Sequence, residues 1–152
     1  MSTRRLRLLS ANIQAGSSTR GYHDYVARSW SHVLPAGNKR GALDNTLVIV
    51  TADNGMPFPP CKGQAYHDAN HLPLAAMWPR GLRQPGRTVH DYVSFIDLAP
   101  TFIELAGLRW SETGLAPTTG RSLTDIFFAE KAGQVNPARD HVLIGKERTD
   151  VG

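Results

Sequence analysis

Between residues 46 and 71 the chain gathers most of the side chains whose types could do chemistry together. Asp53 and Asn54 follow directly on the β-branched run Thr46-Leu-Val-Ile-Val-Thr51. A carboxylate and an amide oxygen are hard ligands, suited to Ca²⁺ or Mg²⁺ rather than to zinc. In open α/β sheets, ligands gather outside the carboxyl ends of strands, which is where this pair would project. The competing reading is a plain turn, Asp53-Asn54-Gly55, closing a strand. Lys62, in Pro60-Cys-Lys-Gly63, could reach back over that strand end to an anion, or could be a solvated loop lysine. His67 and His71 have the chemistry of ligands or acids, set against simple solvation in a polar loop. Cys61 is the single cysteine, which excludes an internal disulfide and a multi-cysteine zinc site. Nothing beside it marks a nucleophile, and it reads as an inert thiol.

These residues need elements to hold them. The continuous apolar run 46–51 predicts a strand buried on both faces. Leu72 to Trp78 predicts a second buried strand, closed by Pro79. A turn at Gln84-Pro-Gly86 precedes a short strand over Thr88 to Val93. Leu98, Phe102, Leu105 and Ala106 share one stripe at helical spacing, which predicts a helix from Asp97 to Ala106. Pro100 fits only in its first turn, and Gly107 is its stop. Ser122-Leu-Thr-Asp125 reads as a capping-box-like start of another helix, and His141 to Ile144 as a last strand. Toward the N-terminus a strand over Leu6 to Ile13 and a helix over Tyr22 to Ser31 precede a breaker cluster, Pro35 to Gly41. Strands alternating with helices place the chain in the α/β class.

Composition narrows the function classes. Apolar residues make up 41% and there are 14 glycines, which excludes a wholly disordered chain. There is no internal repeat. No apolar run reaches about 18 residues, so no membrane span is expected. The basic start Met1 to Leu9 breaks at once into Ser10-Ala-Asn, which argues against a secretory signal and leaves a cytoplasmic location as the default. Lys and Arg number 17 against 13 Asp and Glu, a net charge of +4. That excess is modest and spread along the chain, so neither a nucleic-acid partner nor a membrane is expected.

From about residue 42 to 152 the sequence resembles the sulfatase family, especially its heparan N-sulfatase (sulfamidase) branch. The resemblance is carried by Thr46 to Pro60, Cys61-Lys-Gly63, Leu72-Pro-Leu-Ala-Ala-Met-Trp-Pro79 and Tyr92-Val-Ser-Phe-Ile-Asp-Leu-Ala-Pro-Thr101. It continues through Gly120-Arg-Ser-Leu123 and Arg139-Asp-His-Val-Leu-Ile-Gly-Lys-Glu-Arg148. The resemblance implies an incomplete alkaline-phosphatase-like α/β fold, with a buried strand core and flanking helices. It implies Ca²⁺, with Mg²⁺ as the alternative, held by Asp53 and Asn54, while Lys62 holds sulfate oxygens. The substrate class it implies is a sulfated small molecule or glycan, cleaved as a sulfuric ester or sulfamate. In the family a formylglycine hydrate attacks sulfur while the cation and basic side chains stabilise developing charge. The family makes that formylglycine in a C/S-x-P/A-x-R segment, which this sequence lacks, since Cys61 leads into Lys62-Gly-Gln-Ala65. The early Asp-Asp metal pair is also absent, and Thr149 stands where the family pattern has a histidine. This chain by itself is therefore expected to be inactive.

Residues 1–40 resemble something else. Arg5-Leu-Arg-Leu-Leu-Ser-Ala-Asn-Ile-Gln-Ala-Gly16, with Ser29-Trp-Ser-His-Val-Leu-Pro35, is similar to the opening of endonuclease/exonuclease/phosphatase domains. There Asn12 would stand next to the metal site. That family's Gln-Glu strand, Gly-Asp-Phe-Asn motif and Ser-Asp-His terminus are missing, and Asp140-His141 matches the last only superficially. The expected organisation is an endonuclease/exonuclease/phosphatase-like fragment over 1–40 joined to a sulfatase-like fragment over 41–152. Two other readings stand beside the sulfatase one: a metal-dependent phosphodiesterase fragment, and a basic module that only binds anions.

Overall fold

The computed structural model describes residues 42–55 and 62–146. The strand expected over 6–13, the helix over 22–31, and Asn12, Cys61 and Thr149 lie outside the described residues. What is described falls into two compact units, one of residues 42–80 with 143–146 and one of residues 81–142.

In the first unit, β1 (Val48–Thr51) pairs antiparallel with β2 (Leu74–Met77). Val48 lies opposite Met77, and Thr51 opposite Leu74. Burial alternates along β1: Val48 and Val50 are buried, Ile49 and Thr51 half-buried. The expectation of a strand buried on both faces is corrected here. Period-two side-chain alternation sends Ile49 and Thr51 to the opposite face, which among the described residues is only partly covered. Burying each of the two valines is worth about 1.5–3 kcal/mol. Thr51 Oγ1 donates to Pro73 O at 2.7 Å, closing the pair at the end that leads to Asp53. At the other end Arg80 N–H donates to Asp44 O at 2.9 Å. Between the strands lies a single helical turn, α1 (His67–Asn70), where the sequence suggested only loop. Its buried residue is Ala69. Asn70 Nδ2 donates to Gln64 O at 3.0 Å and Tyr66 O at 2.9 Å, which ties the incoming loop to the turn.

The second unit is built on α2 (Leu98–Leu105), preceded by a 3₁₀ turn over Phe95–Asp97, and on the short α3 (Thr124–Phe127), which packs against it. The predicted helix is thus present with its first turn tightened, and Pro100 sits within the opening turn, where no N–H is missed. Gly107 ends it as expected. At φ 77° it lets Gly107 N–H reach Glu104 O (2.8 Å) and Leu108 N–H reach Ile103 O (3.1 Å), a Schellman arrangement. The stripe Leu98, Phe102, Leu105 and Ala106 is half-buried, whereas Thr101 is fully enclosed. The apolar core of this unit is Leu123, Ile126 and Phe127.

Two expected strands are corrected. The stretch 88–93 contributes one parallel bridge, Val89 to Gly133, and residues 141–144 form no strand among the described residues. Leu143 is almost fully exposed, so the apolar run that suggested a strand has no sheet to join. Ser122 does not open α3 with a capping box. Its hydroxyl instead accepts from Thr124 N–H at 3.3 Å.

Candidate functional site

β1 delivers Asp53 and Asn54 just beyond its carboxyl end, as the sequence implied. Asp53 is exposed and Asn54 half-buried. The chain bends at Gly55 against α1. A Cβ there would lie 2.8 Å from Ala69 Cα and 2.8 Å from Asp68 O, so only glycine permits this approach. The close contact fixes where the Asp-Asn turn leaves the sheet. Lys62 is exposed in the turn that leads back to α1. Among the described residues, no hydrogen bond or ion pair engages the side chains of Asp53, Asn54 or Lys62. Asp53 and Lys62 are thus open to solvent while Asn54 is half-buried, and among the described residues no bond links Lys62 to the pair.

An aspartate carboxylate beside an asparagine amide oxygen is donor chemistry that suits Ca²⁺. Two residues supply a minority of the roughly six to eight oxygens that Ca²⁺ takes. Among the described residues, no group of three His, Cys, Asp or Glu side chains is placed to hold a metal. The residues fit the cation in kind and amount to a share of its shell.

His67 and His71 stand at the two ends of α1, with ring centroids 4.7 Å apart. His67 Nδ1 lies 3.2 Å from Asp68 Oδ1. Asp140 and His141 form an exposed neighbouring pair at 2.6 Å, and the hydrogen bond from His141 holds the Asp140 carboxyl below the ordinary aspartate range. The Arg121 guanidinium adds a smaller push on Asp140 in the same direction.

The most elaborate polar cluster was not legible as such in the sequence. It centres on Arg139, whose side chain is 1% exposed. Nε and Nη2 grip Asp125 in a two-pronged pair, both at 3.0 Å. Nη1 reaches Asp97 Oδ2 at 3.3 Å, and Nη2 also donates to Ser122 O at 2.5 Å and Arg121 O at 3.3 Å. Asp97 in turn accepts from Ser94 N–H (3.1 Å) and Arg121 N–H (2.8 Å). Thr101 Oγ1 donates to Asp97 O at 2.5 Å and accepts from Leu123 N–H at 2.8 Å. A third carboxylate, Asp91, accepts from Val135 N–H and Asn136 N–H, each at 2.6 Å, and Asn136 Nδ2 donates to Asp125 at 2.7 Å. Burial works against the charged form of Asp125, but the bonds from Arg139 and Asn136 outweigh it and hold its carboxyl below the ordinary aspartate range. Every charge in the cluster faces a partner from the protein itself, so it locks loops together and offers no open position to a ligand. Three of the sequence motifs, around Asp97, Gly120-Arg121-Ser122 and Arg139, meet in it. Gly120 belongs to the same device, because a Cβ there would fall 2.1 Å from Ile96 O.

Comparison with known proteins adds a family assignment. The family model described as Sulfatase matches residues 31–108, which is half of the chain. The human protein named N-sulphoglucosamine sulphohydrolase is 34% identical over 103 residues, 64% of this chain and 20% of its own length. Arylsulfatase K of Xenopus laevis is 31% identical over 112 residues, covering 70% of this chain and 19% of its own. Endo-4-O-sulfatase of Bacteroides thetaiotaomicron is 30% identical over 137 residues, covering 84% of this chain and 26% of its own. The chain spans about a fifth to about a quarter of the length of these relatives.

Proposed function

The chain belongs to the sulfatase family, and from that premise we propose that it carries the second metal-binding segment of a sulfuric ester or sulfamate hydrolase. Asp53 and Asn54 give two oxygen ligands to Ca²⁺, and Lys62 holds the sulfate oxygens. The observation that carries this reading is the Asp53-Asn54 pair, without a side-chain partner among the described residues, just beyond the end of β1 and inside the family match. When bound, the cation supplies positive charge that stabilises the anionic transition state at sulfur. The surrounding fold is of the alkaline-phosphatase-like type that the family implies. The substrate is a sulfated glycan or small molecule, in keeping with relatives named for sulphoglucosamine, ulvan and N-acetylglucosamine-6-O-sulfate.

The sequence holds no C/S-x-P/A-x-R segment from which the nucleophile is made. The covalent step it supplies has no substitute among neighbouring side chains, so this chain by itself does not turn over. The relatives are named as sulfatases, which favours this reading over a phosphodiesterase. An endonuclease/exonuclease/phosphatase-like opening over 1–40, joined to the sulfatase segment over 41–152, stays part of the proposal, although its last ten residues lie inside the family match. The family match reaches back to residue 31.

The test is a titration of the purified chain with Ca²⁺ and, separately, Mg²⁺, in the presence of an aryl sulfate and of a phosphodiester. The expected result is weak Ca²⁺ binding that Asp53→Ala abolishes, with no turnover of either substrate. Metal-dependent hydrolysis of the aryl sulfate that survives Cys61→Ala and is lost in Asp53→Ala would overturn the claim of inactivity. Hydrolysis of the phosphodiester alone would overturn the sulfatase reading itself.

A further inference from the structure

A second metal chemistry sits on α1, and it differs from that of the strand end. His67 and His71 are four residues apart, the spacing that puts two side chains on one face of a helix. The relation is enforced by the backbone, since His71 N–H donates to His67 O at 2.7 Å. Ala69 buries the opposite side of the turn, and Asn70 fastens the preceding loop, so both imidazoles are held out toward solvent. Their ring centroids are 4.7 Å apart with planes inclined at 51°.

That spacing is compatible with a shared cation. A Zn–N bond of about 2.0–2.1 Å places the metal about 3.2 Å from each ring centre. An N–Zn–N angle of about 90–110° then separates the two centres by about 4.5–5.2 Å, which brackets the observed distance. Asp68 adds a further feature. In the neutral imidazole, donation from His67 Nδ1 to the Asp68 carboxylate, 3.2 Å away, leaves Nε2 as the nitrogen with a lone pair for a metal. A carboxylate behind a ligating imidazole fixes the tautomer and raises its basicity, the usual support of a metal-bound histidine.

We propose that His67 and His71, backed by Asp68, form a two-histidine chelate for a borderline divalent cation of the Zn²⁺, Ni²⁺ or Cu²⁺ class. Imidazole suits these ions, whereas Ca²⁺ takes oxygen, so the site is chemically separate from Asp53 and Asn54. Water completes the shell, because among the described residues no third ligand of the His, Cys, Asp or Glu types joins the pair. The bound ion ties together the two ends of a single helical turn too short to be stable by itself. The proposal does not rest on the family assignment.

The probe is Zn²⁺, titrated into the full chain in competition with a chromophoric chelator. One Zn²⁺ equivalent is expected, unaffected by a large excess of Ca²⁺. His67→Gln and His71→Gln are each expected to weaken it at least roughly tenfold, and the double variant to remove it. Asp68→Asn is expected to weaken it by about tenfold or more. His90→Gln with His141→Gln serves as the control and is expected to leave the affinity unchanged. All of these side chains are on exposed residues, and circular dichroism of each variant reports that the fold persists. Undiminished binding in the His67→Gln/His71→Gln variant overturns the proposal, as does displacement by Ca²⁺ or an equal loss in the control.

Discussion

The two units of this molecule treat charge in opposite ways. Around Arg139 every ionised group has a partner supplied by the chain: two carboxylates, several backbone carbonyls, and a threonine that bridges Asp97 to Leu123. At the end of β1, Asp53, Asn54 and Lys62 have none among the described residues, and Asp53 and Lys62 stand exposed. A buried charge without partners costs several kcal/mol, so a fold keeps one only when its partners are built in. An exposed charge costs little, and its free valences stay available to a ligand. The difference separates residues that hold the fold from residues that meet something outside it. By that criterion Asp97 and Arg139 are structural although both lie in family-like motifs, and the strand end is the functional candidate.

The comparison breaks most visibly at Arg139. Arg139→Ala leaves Asp97 buried without its counter-charge and Asp125 without its two-pronged partner, an expected loss of about 3–5 kcal/mol. Urea unfolding followed by circular dichroism measures it. Arg139→Lys keeps the charge and loses the planar fork, so it is expected to fall between wild type and alanine. A loss below about 1 kcal/mol in the alanine variant would mean the cluster is not what holds this unit. Gly120→Ala comes next. The added carbon meets a backbone carbonyl oxygen at 2.1 Å, so the 3₁₀ turn over Phe95–Asp97 must shift, at a cost of about 1–3 kcal/mol. Gly145→Ala meets nothing within 4 Å and is the matched control, expected to stay within about 0.5 kcal/mol of wild type.

The two units also differ in how far the sequence discloses them. β1 is legible because a run of β-branched residues has few other conformations to adopt. α2 is legible because stripe, first-turn proline and terminal glycine agree. α1 is not, since His-Asp-Ala-Asn has no apolar periodicity and only four residues in which to show one. The Arg139 cluster escapes for a different reason. Its members stand 14 to 42 positions apart, and a lone charged residue in sequence reads as a solvated one. The available signal was Asp97 set among Phe95, Ile96 and Leu98, a carboxylate inside an otherwise apolar segment. For the strand end, residue types and their place after β1 were readable, but whether Lys62 approaches Asp53 was not, because a loop separates them and loop paths are not encoded in periodicity.

A smaller effect tests the cluster through pH. The Asp125 carboxyl is held below its ordinary 3.8 in the folded chain. A depressed folded value means the unfolded chain takes up the proton first. The contribution of Asp125 is therefore complete above about pH 4 and is lost as pH falls through the lower folded value. With a third of the side chain facing water, the contribution is on the order of 1 kcal/mol. The stability gap between wild type and Asp125→Asn is expected to be constant from neutral pH to about 4 and to close below it. A gap that widens on acidification would mean the carboxylate is not stabilised by Arg139.

The smallest expected effect on stability falls on the residue assigned the largest role in function. Asp53 is exposed and makes no hydrogen bond or ion pair among the described residues, and the turn it occupies is fixed by Gly55 against α1 and by Thr51 against Pro73. Removing its carboxylate takes away nothing the fold uses, so Asp53→Ala is expected to unfold within about 0.5 kcal/mol of wild type in metal-free buffer. Addition of Ca²⁺ then separates the two proteins. A cation that binds only the folded chain raises stability by an amount that grows with the ratio of its concentration to its dissociation constant. Wild type is expected to gain with rising Ca²⁺ while Asp53→Ala stays flat. If Asp53→Ala instead lost more than about 1 kcal/mol without metal, Asp53 would be a turn-stabilising residue like those around Arg139, and the contrast between the two units would fail at the point where it matters most.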